Sequence, residues 1–241
     1  MDYKTPQTPP PYYGGSQTSV TSQTNAVMRK VYVRMFIGLL ISAFCALGVA
    51  SSPAAMMFLF GGSKIVYWVM LIAMFAMAWI IPARMMKMSQ SALLGCFCLF
   101  SALMGAWIAP IFVVYKLGTI VYTFFITAGT FGAMSVYGYF TKTDLSKFGS
   151  YLIMALFGLI ILSLVNIFLH SNTLEWVVSI VGVLLFVGLT AWDTQTVRRL
   201  AQSNLDPGVT DRLATMGAMN LYLDFINLFL FLLRIFGGSR D

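Results

Sequence analysis

The sequence predicts an all-α membrane protein built from seven spanning helices, and three observations predict it. Of 241 residues, 59% are hydrophobic and only 10% charged, too little polar material to coat a soluble globule. Seven apolar runs each approach the roughly 20 residues that a helix needs to cross a bilayer. The gaps between the runs hold the expected breakers, among them Ser51-Ser52-Pro53, Gly61-Gly62, Pro82, Asp144 and Asp206-Pro207-Gly208.

The elements follow in chain order. Residues 1–27 are rich in Pro, Gly, Ser, Thr and Gln and show no apolar period, so they read as a disordered polar tail. They lack the basic segment and short apolar core of a cleaved signal peptide, which leaves targeting to the first spanning helix. Residues 28–241 read as one transmembrane domain, with spans at about 31–50, 65–81, 91–109, 118–137, 151–169, 174–194 and 213–236. Pro110 closes the third run. Asp144, with Lys147 three residues later, fits the N-cap of the fifth helix. His170 and Glu175 fall in a short external turn, where they read as solvated groups. The five tryptophans are spread over the spans and their ends, partly as interface anchors.

Charge orients the stack. The net charge of +7 could suggest nucleic acid, but the basic residues sit in short gaps between apolar runs and not in one patch. Eleven of the fifteen Lys and Arg lie on one side if the N-terminus is cytoplasmic, which predicts that orientation and an external C-terminus. A bacterial inner membrane is the expected location, with the lipid bilayer as partner and no nucleic acid. Cys45, Cys96 and Cys98 lie inside apolar runs without CxxC spacing or a neighbouring His, so neither a disulfide framework nor a metal cluster is implied. The methionines read as adaptable packing, not copper ligands.

Two acids stand out against this apolar background. Asp224 lies near the middle of NLYLDFINLFLFLLRIF, and a carboxylate at such depth costs about 2.5–3.5 kcal/mol on insertion scales, which marks it as functional by default. At helical spacing Gly217, Asn220, Asp224, Asn227 and Phe231 share one stripe, which should face the protein interior. Asp193, in TAWDTQTVRR, closes the preceding run. The plainer readings are a packing hydrogen bond for Asp224 and a helix-boundary cap for Asp193. Depth is a difficulty for pairing them. Asp224 is twelve residues, ~18 Å, from Arg212, while Asp193 is five residues, ~7.5 Å, from Arg198, leaving roughly 10 Å between the two levels. Pairing requires a cytoplasmic vestibule, a tilted sixth helix, or a sixth helix that carries Arg198 and Arg199 beyond the bilayer.

MRKVY before the first span, TKTDLSKFGSYL between the fourth and fifth, AWDTQTVRRL after the sixth and NLYLDFINLFLFLLRIFG at the end together resemble the signatures of the Bax inhibitor-1 family, the transmembrane Bax inhibitor motif proteins, in its bacterial form. The likeness runs from about Arg29 to Gly237. It implies seven helices, six surrounding a central C-terminal one, and either of two functions: a pH-sensitive calcium leak channel, or a membrane interaction protein that modulates a membrane-bound AAA protease or assists membrane quality control. The PPPYY of the tail also allows the second. By resemblance Asp193 and Asp224 form a hydrogen-bonded dyad that senses pH and gates the pore.

Elementary chemistry agrees with that role. Two carboxyls in a poorly solvated site cannot both ionise cheaply and are expected to share a proton. When the proton leaves, repulsion separates the helices or draws in a cation. Calcium suits such a site because it takes oxygen ligands in loose geometry, although two aspartates supply few of its usual six to eight oxygens. Water, with Asn220 or Asn227 as supporting amides, must supply the rest, so occupancy should be weak and transient and no cofactor tightly bound. The family also latches the first acid with a basic residue at the end of the second helix, for which IIPARMMKMSQ offers Arg84 and Lys87. An intramembrane aspartyl protease is disfavoured because Asp224 sits in YLDF and not in a GxGD arrangement. A rhomboid-type serine protease would need a membrane histidine, and no spanning run has one. The sequence therefore predicts no enzyme.

Overall fold

The computed structural model describes residues 17–62, 64–203 and 206–237, and they are helical almost throughout, with no strand among the described residues. Seven helices are long and apolar enough to cross a membrane: α1 (Gln17–Ala50), α2 (Lys64–Arg84), α3 (Gln90–Ile108), α4 (Leu117–Phe140), α5 (Ser146–Leu169), α6 (Asn172–Gln202) and α7 (Pro207–Phe236). The chain is thus a multi-pass membrane protein.

Local chemistry sets several ends. The Ser89 and Ser171 hydroxyls accept the backbone N–H groups of Ala92 and Leu174 and so cap α3 and α6. Pro207 opens α7 at a position whose N–H would have no helical partner anyway. Pro82 lies in the last turn of α2 and does not end the helix, which runs on to Arg84 before a 3-10 turn over Met85–Lys87. His170 closes α5 in the left-handed region at φ 50°. The α5 N-cap position belongs to Leu145, but the expected capping bond exists one residue off register: Asp144 Oδ1 accepts the Ser146 N–H at 3.0 Å.

The expected disordered tail over residues 1–27 is corrected in part. Residues 17–27 continue α1 as helix, while residues 1–16 lie outside the described residues. Thr24, Val27, Met28, Val31 and Met35 are all buried, their three-, four- and seven-residue steps place them on one face, and Val27 shares a small void with residues of α6 and α7. A polar threonine in that stripe hides the helical period from a hydropathy reading.

Helix α7 is the centre. It packs against α1, α3, α4 and α6, whereas α5 leans on α6 and α2 on α3. The six helices around the seventh are therefore graded, four in direct contact and two outside. Helix α5 buries only Gly149 and Leu159, packs Leu152 and Leu156 against the core and leaves most of its other apolar side chains exposed. Two close crossings depend on glycine: a Cβ on Gly105 of α3 would strike the Ser42 backbone of α1, and one on Gly138 of α4 would strike the Ala191 carbonyl of α6. At the core, the wholly buried Tyr222 meets the edges of Phe97 and Phe100 at centroid distances of 5.6 and 6.2 Å. Its hydroxyl lies 2.6 Å from Ser42 Oγ, which donates in turn to the Ser101 carbonyl at 2.7 Å.

Candidate functional site: a carboxyl pair on α6 and α7

Asp193 and Asp224 meet. The two carboxyl groups lie within hydrogen-bonding range of each other, and the residues are 7% and 5% exposed. Asp224 Oδ2 has no hydrogen-bond partner.

The helices that carry the pair are in close register. Gly217 of α7 abuts Val197 of α6, and Gly182 of α6 faces the Phe231 ring, where a Cβ would come to 2.7 Å. Gly217, Asp224 and Phe231 recur every seven residues and so drift only about 20° per step, which keeps all three on the α6 side. Asn220 and Asn227 fall to one side of that line. Asn220 is exposed, and Asn227 turns its amide back onto the Leu223 carbonyl at 2.8 Å. Neither supporting amide expected from the stripe therefore reaches the acids, because a 3.6-residue period carries i+3 positions to the edge of a narrow face.

The depth mismatch resolves through the third of the three routes. Helix α6 does not stop at Arg198 but continues to Gln202, and Leu200 and Ala201 share one small void with Leu213 and Ala214. Arg212 thus sits farther from the membrane centre than Arg198. The residual offset between the acids is about 4 Å along the helix axes, within the reach of two aspartate side chains.

Neither expected latch residue takes part. Arg84 and Lys87 are both exposed, and among the described residues neither forms an ion pair. The turn after α2 touches α7 only near its start, where Arg212 meets the Met86 carbonyl, about twelve residues from Asp224. Other groups tie this end of the molecule together. Arg34 of α1 donates through Nη2 to both carboxylate oxygens of Asp211 at 2.9 and 3.0 Å, and through Nη1 to the Asp211 carbonyl at 2.8 Å and Thr215 Oγ1 at 3.0 Å. Lys30 adds a second ion pair to Asp211 at 2.9 Å. Gln90 of α3 donates to Thr215 Oγ1 at 2.9 Å, and Arg212 donates to the Met86 carbonyl at 3.1 Å. A polar layer linking α1, α3 and α7 therefore lies about nine residues, ~13 Å, from Asp224.

A second clamp holds the α4–α5 loop against α6, just past Asp193. Gln195 accepts the Leu145 N–H at 2.9 Å and donates to the Thr143 carbonyl at 2.8 Å. Arg198 donates to the Tyr139 carbonyl and stacks over the Tyr139 ring, and Arg199 pairs with Asp144 at 2.7 Å. The Ser146 N–H, and after it Arg199, hold the Asp144 carboxyl down to about 2 from 3.8. Sequence reading passed over Asp211, Arg34 and Gln195. Arg34 alone left a signal, as a cation inside the apolar run VYVRMFIGLL; the partnerships depend on which helices become neighbours.

The described residues hold no cluster of three or more His, Cys, Asp or Glu able to chelate a metal. The pair can exchange a proton and, once ionised, attract a cation with water completing its shell.

Comparison with known proteins places these features in company. The family described as Inhibitor of apoptosis-promoting Bax1 matches residues 24–241. The inner membrane protein YbhL of Escherichia coli K12 is 46% identical over 216 residues, covering 88% of this chain and 92% of YbhL. An uncharacterised protein of Borreliella burgdorferi is 44% identical over 218 residues, covering 90% and 94%. The uncharacterised protein YrjE of Lactococcus lactis is 39% identical over 228 residues, covering 90% and 94%.

Proposed function

The chain belongs to the Bax inhibitor-1 family, and from that membership we propose that it is a pH-sensitive cation leak, with calcium as permeant ion, gated by Asp193 and Asp224. The observation that carries this reading is two buried carboxyls in mutual hydrogen-bonding range on adjacent membrane helices, with Asp224 Oδ2 unpartnered. A group so placed is expensive to keep in a bilayer, which favours a functional role over a packing one.

With one proton shared, the pair is a single negative charge bridged by a hydrogen bond, and α6 and α7 stay together. As pH rises the proton is lost and two anions face each other in a medium that screens them poorly. Repulsion then loosens the α6–α7 contact, and a divalent cation that enters is held by the two carboxylates and by water. With so few protein oxygens, binding is loose enough for the ion to leave, as conduction requires. Calcium and protons are thus the ligands, no cofactor is retained, and the protein carries out no covalent chemistry. The bacterial inner membrane is the location that the YbhL relationship supports. The basic-residue asymmetry supports a cytoplasmic N-terminus.

The test is calcium-dye flux into liposomes holding the full chain. Influx should rise as external and internal pH are moved together from about 6 to 8, and Asp193→Asn and Asp224→Asn should each abolish that dependence. Wild-type pH dependence retained in both variants would remove the channel reading and leave an interaction role, such as restraint of a membrane protease, in its place.

A further inference from the structure

Two spaces follow one another along α7, from Phe225 beside the carboxyl pair to Arg234 at the helix end. The deeper one is a groove of about 250 Å³ between α1 and α4, with Ala43 and Leu47 on one wall, Val121 and Phe124 on the other and Phe225 and Phe229 of α7 as its floor. Its one polar lining side chain, Ser42, is already engaged with Ser101 and Tyr222. The shallower space, about 270 Å³, shares Ile108 and Ile111 with the groove and is lined by Tyr67, Trp107, Tyr115 and Arg234. Arg234 is exposed in the last turn of α7, and among the described residues it forms no ion pair, its guanidinium lying 5.5 Å over the Phe231 ring. The Trp107 indole N–H has no hydrogen-bond partner.

We propose that these two spaces form one binding site for a glycerophospholipid, with an acyl chain in the α1–α4 groove and its phosphodiester at Arg234. Position selects the occupant. The groove lies between two membrane-spanning helices, where the surrounding solvent is hydrocarbon, and an apolar trough open to that solvent fills with an acyl chain. The mouth lies at the end of α7, at headgroup level, where tyrosine and tryptophan concentrate. A guanidinium that forms no ion pair there, although it shares a neighbouring cavity with Glu175, presents planar donors that match a phosphate. The chain so bound would rest on Phe225, the residue next to Asp224.

Native mass spectrometry of the full chain, released from detergent after incubation with phosphatidylglycerol, tests the site. The wild type should retain one lipid at collision energies that strip the rest. Arg234→Gln should lower that retained fraction about tenfold, the value of one lost charge-assisted contact. Ala43→Phe, at an exposed position that fills the groove, should remove it, while Arg234→Lys restores part of it. Diacylglycerol, which lacks the phosphate, should be retained weakly and equally by wild type and Arg234→Gln. Thermal unfolding of each variant in the same detergent reports whether it is folded. Equal retention by wild type, Arg234→Gln and Ala43→Phe, retention of diacylglycerol as strong as that of phosphatidylglycerol, or binding of inorganic phosphate alone would each overturn the proposal.

Discussion

At the scale of single residues, the chemistry is concentrated in a few charged and polar side chains whose partners are far away in sequence. Asp144 is the simplest to test. Its carboxyl is held at about 2, first by the Ser146 N–H and then by Arg199, so its contribution is present above pH 4 and disappears as pH falls toward 2. Carboxyl-carbon NMR of labelled protein should find this low midpoint, and Arg199→Ala should raise it while leaving it below the ordinary aspartate range. An ordinary midpoint in the wild type would mean that the loop clamp does not persist in solution. Arg34 is the sterner case, because it makes four hydrogen bonds to Asp211 and Thr215 from a side chain only 15% exposed. Arg34→Met should cost about 1–3 kcal/mol, seen as a lower unfolding temperature in detergent. The double variant with Asp211→Asn should cost less than the two single changes added together, and strict additivity would count against the pair. Of these residues, the sequence made Asp224 and Asp193 legible, because a carboxylate in an apolar run has few explanations. Asp211 lay too near a helix end to look unusual.

At the scale of helices, backbone approach decides which faces meet. Gly138 lets α4 come against the Ala191 backbone of α6, two residues before Asp193, whereas Gly129 on the same helix has open space where a Cβ would be. Gly138→Val should therefore destabilise by about 1–3 kcal/mol through overpacking, and Gly129→Ala should be close to neutral. Thermal unfolding of both would settle the crossing, since equal effects would contradict it. Hydropathy located all seven helices and missed their ends. The N-terminal turns of α1, the extension of α6 to Gln202 and the last turn of α2 beyond Pro82 all carry polar residues or proline. Such ends are helical because they pack on neighbours or keep their hydrogen bonds, and a window of apolar residues records neither. The extension of α6 cut the difference in level between the acids to about 4 Å, where the run lengths alone had put it at roughly 10 Å.

At the scale of the whole molecule, the arrangement is a buried α7 flanked by four helices, with α2 and α5 outside them. Joint titration of Asp193 and Asp224 is expected to act through this arrangement, since α7 contacts α1, α3, α4 and α6 at once and any shift of it must be felt at the Arg34–Asp211 layer. That coupling predicts that Arg34→Met, which loosens the layer, raises liposomal calcium influx at about pH 6, where the paired acids would otherwise keep α6 and α7 together. Influx unchanged from wild type would separate the layer from the gate. By itself, the sequence determined the membrane class, the number of spans and the two acids placed in apolar helices, since each depends on local content: apolar length, breaker residues, and a charge where charge is costly. Which polar groups serve those acids was decided only by tertiary structure. The expected latch at Arg84 or Lys87 and the amides at Asn220 and Asn227 all face elsewhere, because rotation about a helix axis and the choice of neighbouring helix are set by packing between segments remote in the chain.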